Sequence, residues 1–75
     1  MGGARVDQEI TMRIDKSVFV HKMAFISGEV RIRRNSSIWP GAVIRGDFAP
    51  VTIGEYTNVQ DNVVIHADPG SFLKV

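Results

Sequence analysis

The sequence has 75 residues, so it can form at most one small domain, which buries only about 60% of the surface that its unfolded chain exposes. It has no cysteine, which excludes disulfides and thiolate ligands, and its two histidines cannot give one copy of the chain three nitrogen ligands. The net charge of +1 argues against nucleic-acid binding, and the balance of 44% hydrophobic and 23% charged residues is typical of a folded protein.

Residues 1–19 precede the first regular pattern, and we expect them to form an N-terminal lead-in strand. The opening residues, 1–7, lack the apolar core of a signal peptide. No segment of the sequence is long and apolar enough to span a membrane. These features predict a cytoplasmic protein with neither a membrane nor a nucleic acid among its partners.

From residue 20 onward, Ile or Val recurs every six residues. The register positions are Val20, Ile26, Ile32, Ile38 and Ile44, and after a gap of nine they resume at Ile53, Val59 and Ile65. A helix face recurs at three and four residues and a strand face at two, so neither explains a period of six. A chain that turns a corner every six residues does explain it, since three corners make a triangular coil and stacked coils make a parallel β-helix.

The repeat therefore predicts an all-β fold, a parallel β-helix of hexapeptide repeats over residues 20–75, incomplete at about 2.5–3 coils. A small sandwich of alternating strands is the simpler alternative, but it would not keep a six-residue phase for so long. We expect three extra residues between Ile44 and Ile53 and a loss of phase after Ile65. The predicted interior columns are Val20, Ile38 and Val59; Ile26, Ile44 and Ile65; and Ile32 with Ile53. The residues after the second corners, Ser27, Arg45 and His66, should share one outer edge.

Three segments in the second half of the chain carry a family resemblance. They are IWPGAVIRGD at 38–47, TIG at 52–54 and TNVQDNVVIH at 57–66. In order and spacing they closely resemble the γ-class carbonic anhydrases, over about residues 14–75, which is the front part of the family's usual length. The resemblance implies a left-handed parallel β-helix, a homotrimer with metal sites between subunits, and zinc as the metal, with iron or cobalt possible. It also implies reversible hydration of CO2 to bicarbonate by a metal-bound hydroxide.

The resemblance assigns a metal ligand and an anion-binding pair. His66 matches the family's first metal-ligand histidine, whereas the other two ligands belong to a His-rich stretch that these 75 residues do not contain. Arg45 and Asp47 match a pair at the subunit interface that helps to position bicarbonate. With one ligand of three, we expect the 75 residues alone to bind no catalytic zinc and to be inactive.

Further positions match polar residues around the metal. Gln60 corresponds to the glutamine that orients metal-bound water, and Asn58 and Asp61 correspond to polar supports of that site. Phe48 departs from the best-studied type of enzyme, which has an acidic residue there that helps to move protons. The resemblance is therefore closer to the shorter-loop relatives, in which activity varies.

Simpler interpretations stand beside these assignments. Arg45 and Asp47 can be a solvated ion pair worth less than about 1 kcal/mol, and His66 can be a surface histidine. Residues 45–47 spell Arg-Gly-Asp, a tripeptide that also occurs as a cell-adhesion motif. His21 follows a different corner and is predicted to be a surface residue. The whole chain can instead be a non-catalytic trimerisation or scaffold module or, less consistently with its motifs, a hexapeptide acyltransferase.

Overall fold

The chain folds into short parallel strands. The computed structural model describes Arg5–Asp7 and residues 12–75, and every regular element in these ranges is a β-strand. No helix in the described ranges is long and apolar enough to cross a lipid bilayer. The strands are β1 (Arg5–Asp7), β2 (Arg13–Ile14), β3 (Phe19–Val20), β4 (Phe25–Ile32), β5 (Ser37–Ile38), β6 (Val43–Ile53), β7 (Asn58–Val59), β8 (Val64–His66) and β9 (Leu73–Lys74).

The strands stack with a parallel register from one coil to the next. One sheet follows the order β1-β4-β6-β8, and a second follows β3-β5-β7. The long strands β4 and β6 turn a corner within themselves, because their first halves pair with β1 and β8 and their second halves with β2 and β9. The result is a three-sided parallel β-helix, as the six-residue repeat predicts.

The predicted interior columns are confirmed. Ile38 pairs with Val20 below and Val59 above, and Ile44 pairs likewise with Ile26 and Ile65. The third column is the pair Ile32 and Ile53. All eight residues are buried and belong to one hydrophobic core. β-Branched side chains suit this position, since they pack well on a pleated strand.

The insertion before Ile53 is taken up by a bulge in β6. Gly28 pairs with Gly46, whereas the next recorded pair is Val30 with Val51, so β6 carries three more residues than β4 across the bulge. A Cβ atom on Gly28 would collide with the Gly46 carbonyl group, and one on Gly46 would collide with the Glu29 backbone. The two glycines therefore allow a backbone approach that no other residue type could make.

Two expectations differ from the structure. The six-residue spacing is lost after Ile65, but the coil does not end there, because β9 pairs Leu73 with Val51 and continues the third side of the β-helix. A turn around Pro69 and Gly70 lengthens that part of the coil and hides the repeat in the sequence. Ser27 lies in the predicted row but is buried, with 2% of its surface exposed.

The parallel pairing also begins before residue 20. β1 and β2 both pair with β4, in register with residues of the next coil. Residues 1–4 and 8–11 of the predicted lead-in lie outside the described residues. The division of the chain at residue 20 stays a prediction.

Candidate functional site

Arg45 and His66 occupy one row on the outside of the β-helix. Arg45 of β6 and His66 of β8 are Cα partners, and Ser27 of β4 is the partner of Arg45 on the other side. The parallel register sets this row, because each residue follows a buried corner isoleucine. Both Arg45 and His66 are exposed, so a guanidinium and an imidazole lie one rung apart and face solvent.

Asp47 lies on the same strand as Arg45 and binds it. Arg45 Nε is 3.5 Å from Asp47 Oδ2, and the two side chains are 51% and 33% exposed. Side chains two apart on a strand point to the same face, so the intervening Gly46 leaves this pair on the outside. Within one chain this is a partly solvated ion pair, which contributes little to folding. Its role at a subunit interface stays a prediction.

Asn58 lies on the other sheet, at the start of β7. Its Oδ1 accepts a hydrogen bond of 2.6 Å from Ser37 Oγ, and Ser37 Oγ accepts one of 2.9 Å from Trp39 Nε1. Ser37 and Asn58 are Cα partners in the β5–β7 pairing. Asn58 is therefore anchored by a side chain from the coil below.

Gln60 and Asp61 follow β7 and lead into a turn before β8. The carbonyl oxygen of Gln60 accepts a hydrogen bond from the Val63 backbone N–H at 3.3 Å, and the Asn62 N–H donates to Pro40 oxygen at 3.1 Å. Asn62 has a φ of 63°, a left-handed conformation that asparagine tolerates better than most residues. The side chains of Gln60 and Asp61 are exposed.

The structure thus divides the six predicted site residues into two sets. One set, on the sheet that contains β6 and β8, holds Arg45, Asp47 and His66. The other set holds Asn58, which lies on β7 of the second sheet, and Gln60 and Asp61, which lie in the turn between β7 and β8. The six lie within the second and third coils.

One histidine in the described ranges is available as a metal ligand. His66 is exposed and accepts no hydrogen bond from the described residues, whereas His21 Nδ1 already accepts the Met23 backbone N–H at 3.0 Å. No group of three or more His, Cys, Asp or Glu residues in the described ranges could hold a metal ion. Neutral imidazole is a good ligand for zinc, iron and cobalt, so the chemistry of His66 fits one position of such a site.

Ser37 is a contact of the site that the sequence interpretation missed. Ser37 and Asn58 are 21 residues apart, the same separation as the stacked pair Ile38 and Val59. That separation is one 18-residue coil plus the three inserted residues, so the repeat itself contained the signal. Applying it to polar positions as well as to corners would have found Ser37.

Comparison with curated proteins identifies the family, although no protein-family model matches the sequence. The chain is 46% identical over 56 residues to γ carbonic anhydrase 3, mitochondrial, of Arabidopsis thaliana, which covers 75% of this chain and 22% of the relative. It is 43% identical over 61 residues to a carbonic anhydrase of Geobacillus kaustophilus, covering 81% of this chain and 34% of that protein. A probable carbonic anhydrase of Methanocaldococcus jannaschii is 47% identical over 57 residues, or 76% of this chain and 36% of its own length. This chain belongs to the γ-class carbonic anhydrase family.

The γ-class carbonic anhydrase relatives are all longer than this chain. It spans 22% to 36% of their lengths, so it corresponds to a part of a γ-class carbonic anhydrase. The Arabidopsis relative is described as mitochondrial, and the cytoplasmic location stays a prediction for this chain. The roles of the six site residues also stay predictions.

Proposed function

We propose that this chain is part of an enzyme that catalyses the reversible hydration of CO2 to bicarbonate. The observation that carries the proposal is the register of β6 and β8, which sets Arg45 beside His66 on the outer surface. Asp47 binds Arg45 on the same strand. The proposed metal ligand His66 thus lies one rung from Arg45, a cation that can hold an anionic product.

His66 is proposed to hold zinc, or else iron or cobalt, as one of three histidine ligands. The other two are proposed to come from residues outside these 75, one of them from a neighbouring subunit. When bound, such a cation lowers the pKa of a coordinated water to about 7 and so supplies hydroxide at neutral pH. The exposed position of His66 leaves its imidazole open to such a partner.

Arg45 is proposed to bind bicarbonate. Its guanidinium is charged at any working pH and presents several N–H donors in one plane, a geometry suited to the oxygens of an anion. Asp47 Oδ2 lies 3.5 Å from Arg45 Nε and restricts the orientation of the guanidinium. The terminal guanidinium nitrogens then stay available to the anion.

Gln60 is proposed to orient the water that attacks CO2, with Asn58 and Asp61 as its supports. A primary amide has both a donor and an acceptor, so it can fix the direction of a water molecule's lone pair. Gln60 is well placed to do so, because its backbone is held in the turn that connects Asn58 to His66. Asp61 can accept a hydrogen bond from the Gln60 amide.

A homotrimer is proposed to complete the site. In one copy, the three residues Arg45, Asp47 and His66 are all on the surface. The neighbouring Val64 on β8 is 62% exposed, an apolar side chain that a subunit contact would remove from water. The proposed partners are therefore two more copies of the protein, with CO2 and bicarbonate as substrates.

Stopped-flow CO2 hydration by the metal-loaded full-length protein tests this function. Gln60→Ala should lower kcat by about 10- to 100-fold, the usual effect of losing a side chain that supports a metal site. Lys22→Ala changes an exposed residue on a different coil and should leave kcat unaltered. If the unsubstituted, metal-loaded protein hydrates CO2 no faster than buffer, the proposal is wrong and a non-catalytic module is favoured.

A further inference from the structure

A directed chain of hydrogen bonds runs along the outer face of the sheet formed by β3, β5 and β7. Trp39 Nε1 donates to Ser37 Oγ at 2.9 Å, and Ser37 Oγ donates to Asn58 Oδ1 at 2.6 Å. Ser37 and Asn58 are stacked on neighbouring rungs. Three side chains from two coils are thus joined in one line that ends at a predicted site residue.

The chemistry of the three groups fixes the direction of this line. An indole N–H can only donate, so it occupies a lone pair of the Ser37 hydroxyl oxygen. The single proton of Ser37 is then left for Asn58, whose Oδ1 accepts it. If the Asn58 amide were reversed, Ser37 would accept two hydrogen bonds and its own proton would have no acceptor among the described contacts. The network therefore selects one orientation of an amide whose two ends are otherwise interchangeable.

Packing holds the indole that starts the line. The Phe19 ring lies 5.2 Å from the Trp39 ring at an angle of 49°. The Trp39 backbone N–H also donates to the Val59 carbonyl oxygen at 2.9 Å, which holds the backbone after β5 against β7. Aromatic pairs at this distance attract each other beyond the effect of the area they bury. The donor is therefore held by contacts independent of Asn58.

We infer that Trp39 and Ser37 are positioning residues that lock Asn58 with its Oδ1 towards Ser37 and its Nδ2 hydrogens turned away from it. Asn58 then presents its two N–H donors on the side away from Ser37, so a partner on that side is a group that accepts hydrogen bonds. The inference rests on the proposed function only for the part that Asn58 plays in the site. The orientation of the amide is a property of the chain without metal.

Two-dimensional 1H–15N NMR of the metal-free full-length protein tests the inference without any activity measurement. In the unsubstituted chain, the Trp39 Nε1–H should exchange with solvent about fivefold or more slowly than a free indole, as expected for one hydrogen bond. The two Asn58 Nδ2 protons should give separate signals outside the range of mobile asparagine. Ser37→Ala should restore free-indole exchange at Trp39 and move the Asn58 signals into the mobile range.

Two further variants distinguish a directed line from a simple Ser37–Asn58 contact. Trp39→Phe keeps a ring against Phe19 but removes the donor, and it should also shift the Asn58 Nδ2 signals. Ser37→Thr keeps the hydroxyl and should preserve them, as should Ser71→Ala, which removes a hydroxyl bonded to the Asp68 carbonyl oxygen in a distant turn.

The inference is wrong if the Trp39 Nε1–H of the unsubstituted chain exchanges at the free-indole rate, a result that needs no variant to fold. It is also wrong if Ser37→Ala or Trp39→Phe folds and leaves the Asn58 signals in place. Neither result bears on CO2 hydration, so the orientation of the amide and the proposed function can fail separately.

Discussion

Gly28 and Gly46 are Cα partners on neighbouring coils, and their backbones approach so closely that neither position has room for a Cβ atom. Gly46 is the middle residue of the Arg-Gly-Asp tripeptide. Its identity is explained by the bulge in β6, where its Cβ would collide with the Glu29 backbone. The glycine of the tripeptide is therefore required by the fold, independently of any role in cell adhesion.

The close approach at Gly28 predicts a large loss of stability in Gly28→Ala. Gly28 and Gly70 both have positive φ, 77° and 84°, but a Cβ on Gly70 would have no atom within 4 Å. Gly70→Ala should therefore cost about 1–2 kcal/mol of unfolding free energy, from the left-handed backbone alone. Gly28→Ala should cost about 1–3 kcal/mol more than that, because the neighbouring coil must also move. Urea denaturation of both variants checks this, and equal losses would contradict it.

The interior column predicts a graded effect of trimming Ile44. Ile44 is fully buried between Ile26 and Ile65. Ile44→Val should lower the unfolding free energy by about 0.5–1.5 kcal/mol and Ile44→Ala by about 2–5 kcal/mol, since the cavity grows with each methyl removed. Met23→Ala, at an exposed turn of the first coil, should change it by less than about 0.5 kcal/mol. Chemical denaturation that finds Ile44→Ala and Met23→Ala equivalent would contradict the assignment of the interior.

Asp15 predicts a pH-dependent contribution from Ser17. The Ser17 backbone N–H, at 2.9 Å, and its hydroxyl, at 2.7 Å, both donate to Asp15 Oδ1 and lower the pKa of that carboxyl below its ordinary value. A group with a lowered pKa in the folded state stabilises the fold above its unfolded pKa, and this effect is lost as pH falls through the folded pKa. Ser17→Ala keeps only the backbone bond, so the Asp15 pKa should rise towards its ordinary value.

NMR titration of the Asp15 carboxyl in the two proteins measures that change. The unfolding free energies of the unsubstituted protein and Ser17→Ala should differ by a pH-dependent amount. This amount should be largest at neutral pH and should vanish below the folded pKa of Asp15. Ser17 Oγ also accepts the Asn35 backbone N–H at 2.8 Å, and the loss of that bond should be independent of pH. Ser71→Ala is the matched control and should leave the Asp15 titration where it is. An unchanged Asp15 pKa in Ser17→Ala would contradict this account.

Removing the ion pair of Arg45 and Asp47 should affect trimer formation but hardly affect the folding of one chain. Within one chain the pair is partly solvated, so Asp47→Asn should change the unfolding free energy by less than about 1 kcal/mol. If the pair lies at the proposed trimer interface, the same variant should lower the trimer fraction of the full-length protein in sedimentation velocity runs. Glu55→Gln weakens the exposed pairs with Arg33 and Arg34 and should leave the trimer fraction unchanged. A trimer fraction that Asp47→Asn does not alter would remove Asp47 from the interface.

Much of the fold could be predicted because the residues that repeat every six positions are the buried residues of the core. A β-branched residue occupies each corner from Val20 to Ile65, so the spacing alone predicted the interior columns and the three residues inserted before Ile53. Leu73 stacks on Val51, whose other partner is Val30, four residues after Ile26. It was missed because the turn at Pro69 and Gly70 separates it from Ile65 by eight residues instead of four. Ser27 was expected to be exposed since it follows a corner, but its burial depends on what covers it, which spacing does not encode.

The site was predictable only in part. The row that joins Arg45 to His66 follows from the register, and so does their position on the outer surface. The anchoring of Asn58 by Ser37 depends on a rotamer and a hydroxyl proton, which a residue pattern does not specify. The chemical roles of these residues rest on the family, because one exposed histidine beside an arginine does not specify a metal site without further ligands.

The zinc content of the full-length protein in its His66→Ala and His21→Ala variants tests the central claim most directly. His21 is the matched control, because it is the chain's other histidine and its Nδ1 is engaged by the Met23 backbone. We expect His66→Ala to lose its bound metal on dialysis while His21→Ala keeps the stoichiometry of the unsubstituted protein. Equal metal content in all three proteins would contradict the assignment of His66 as a ligand.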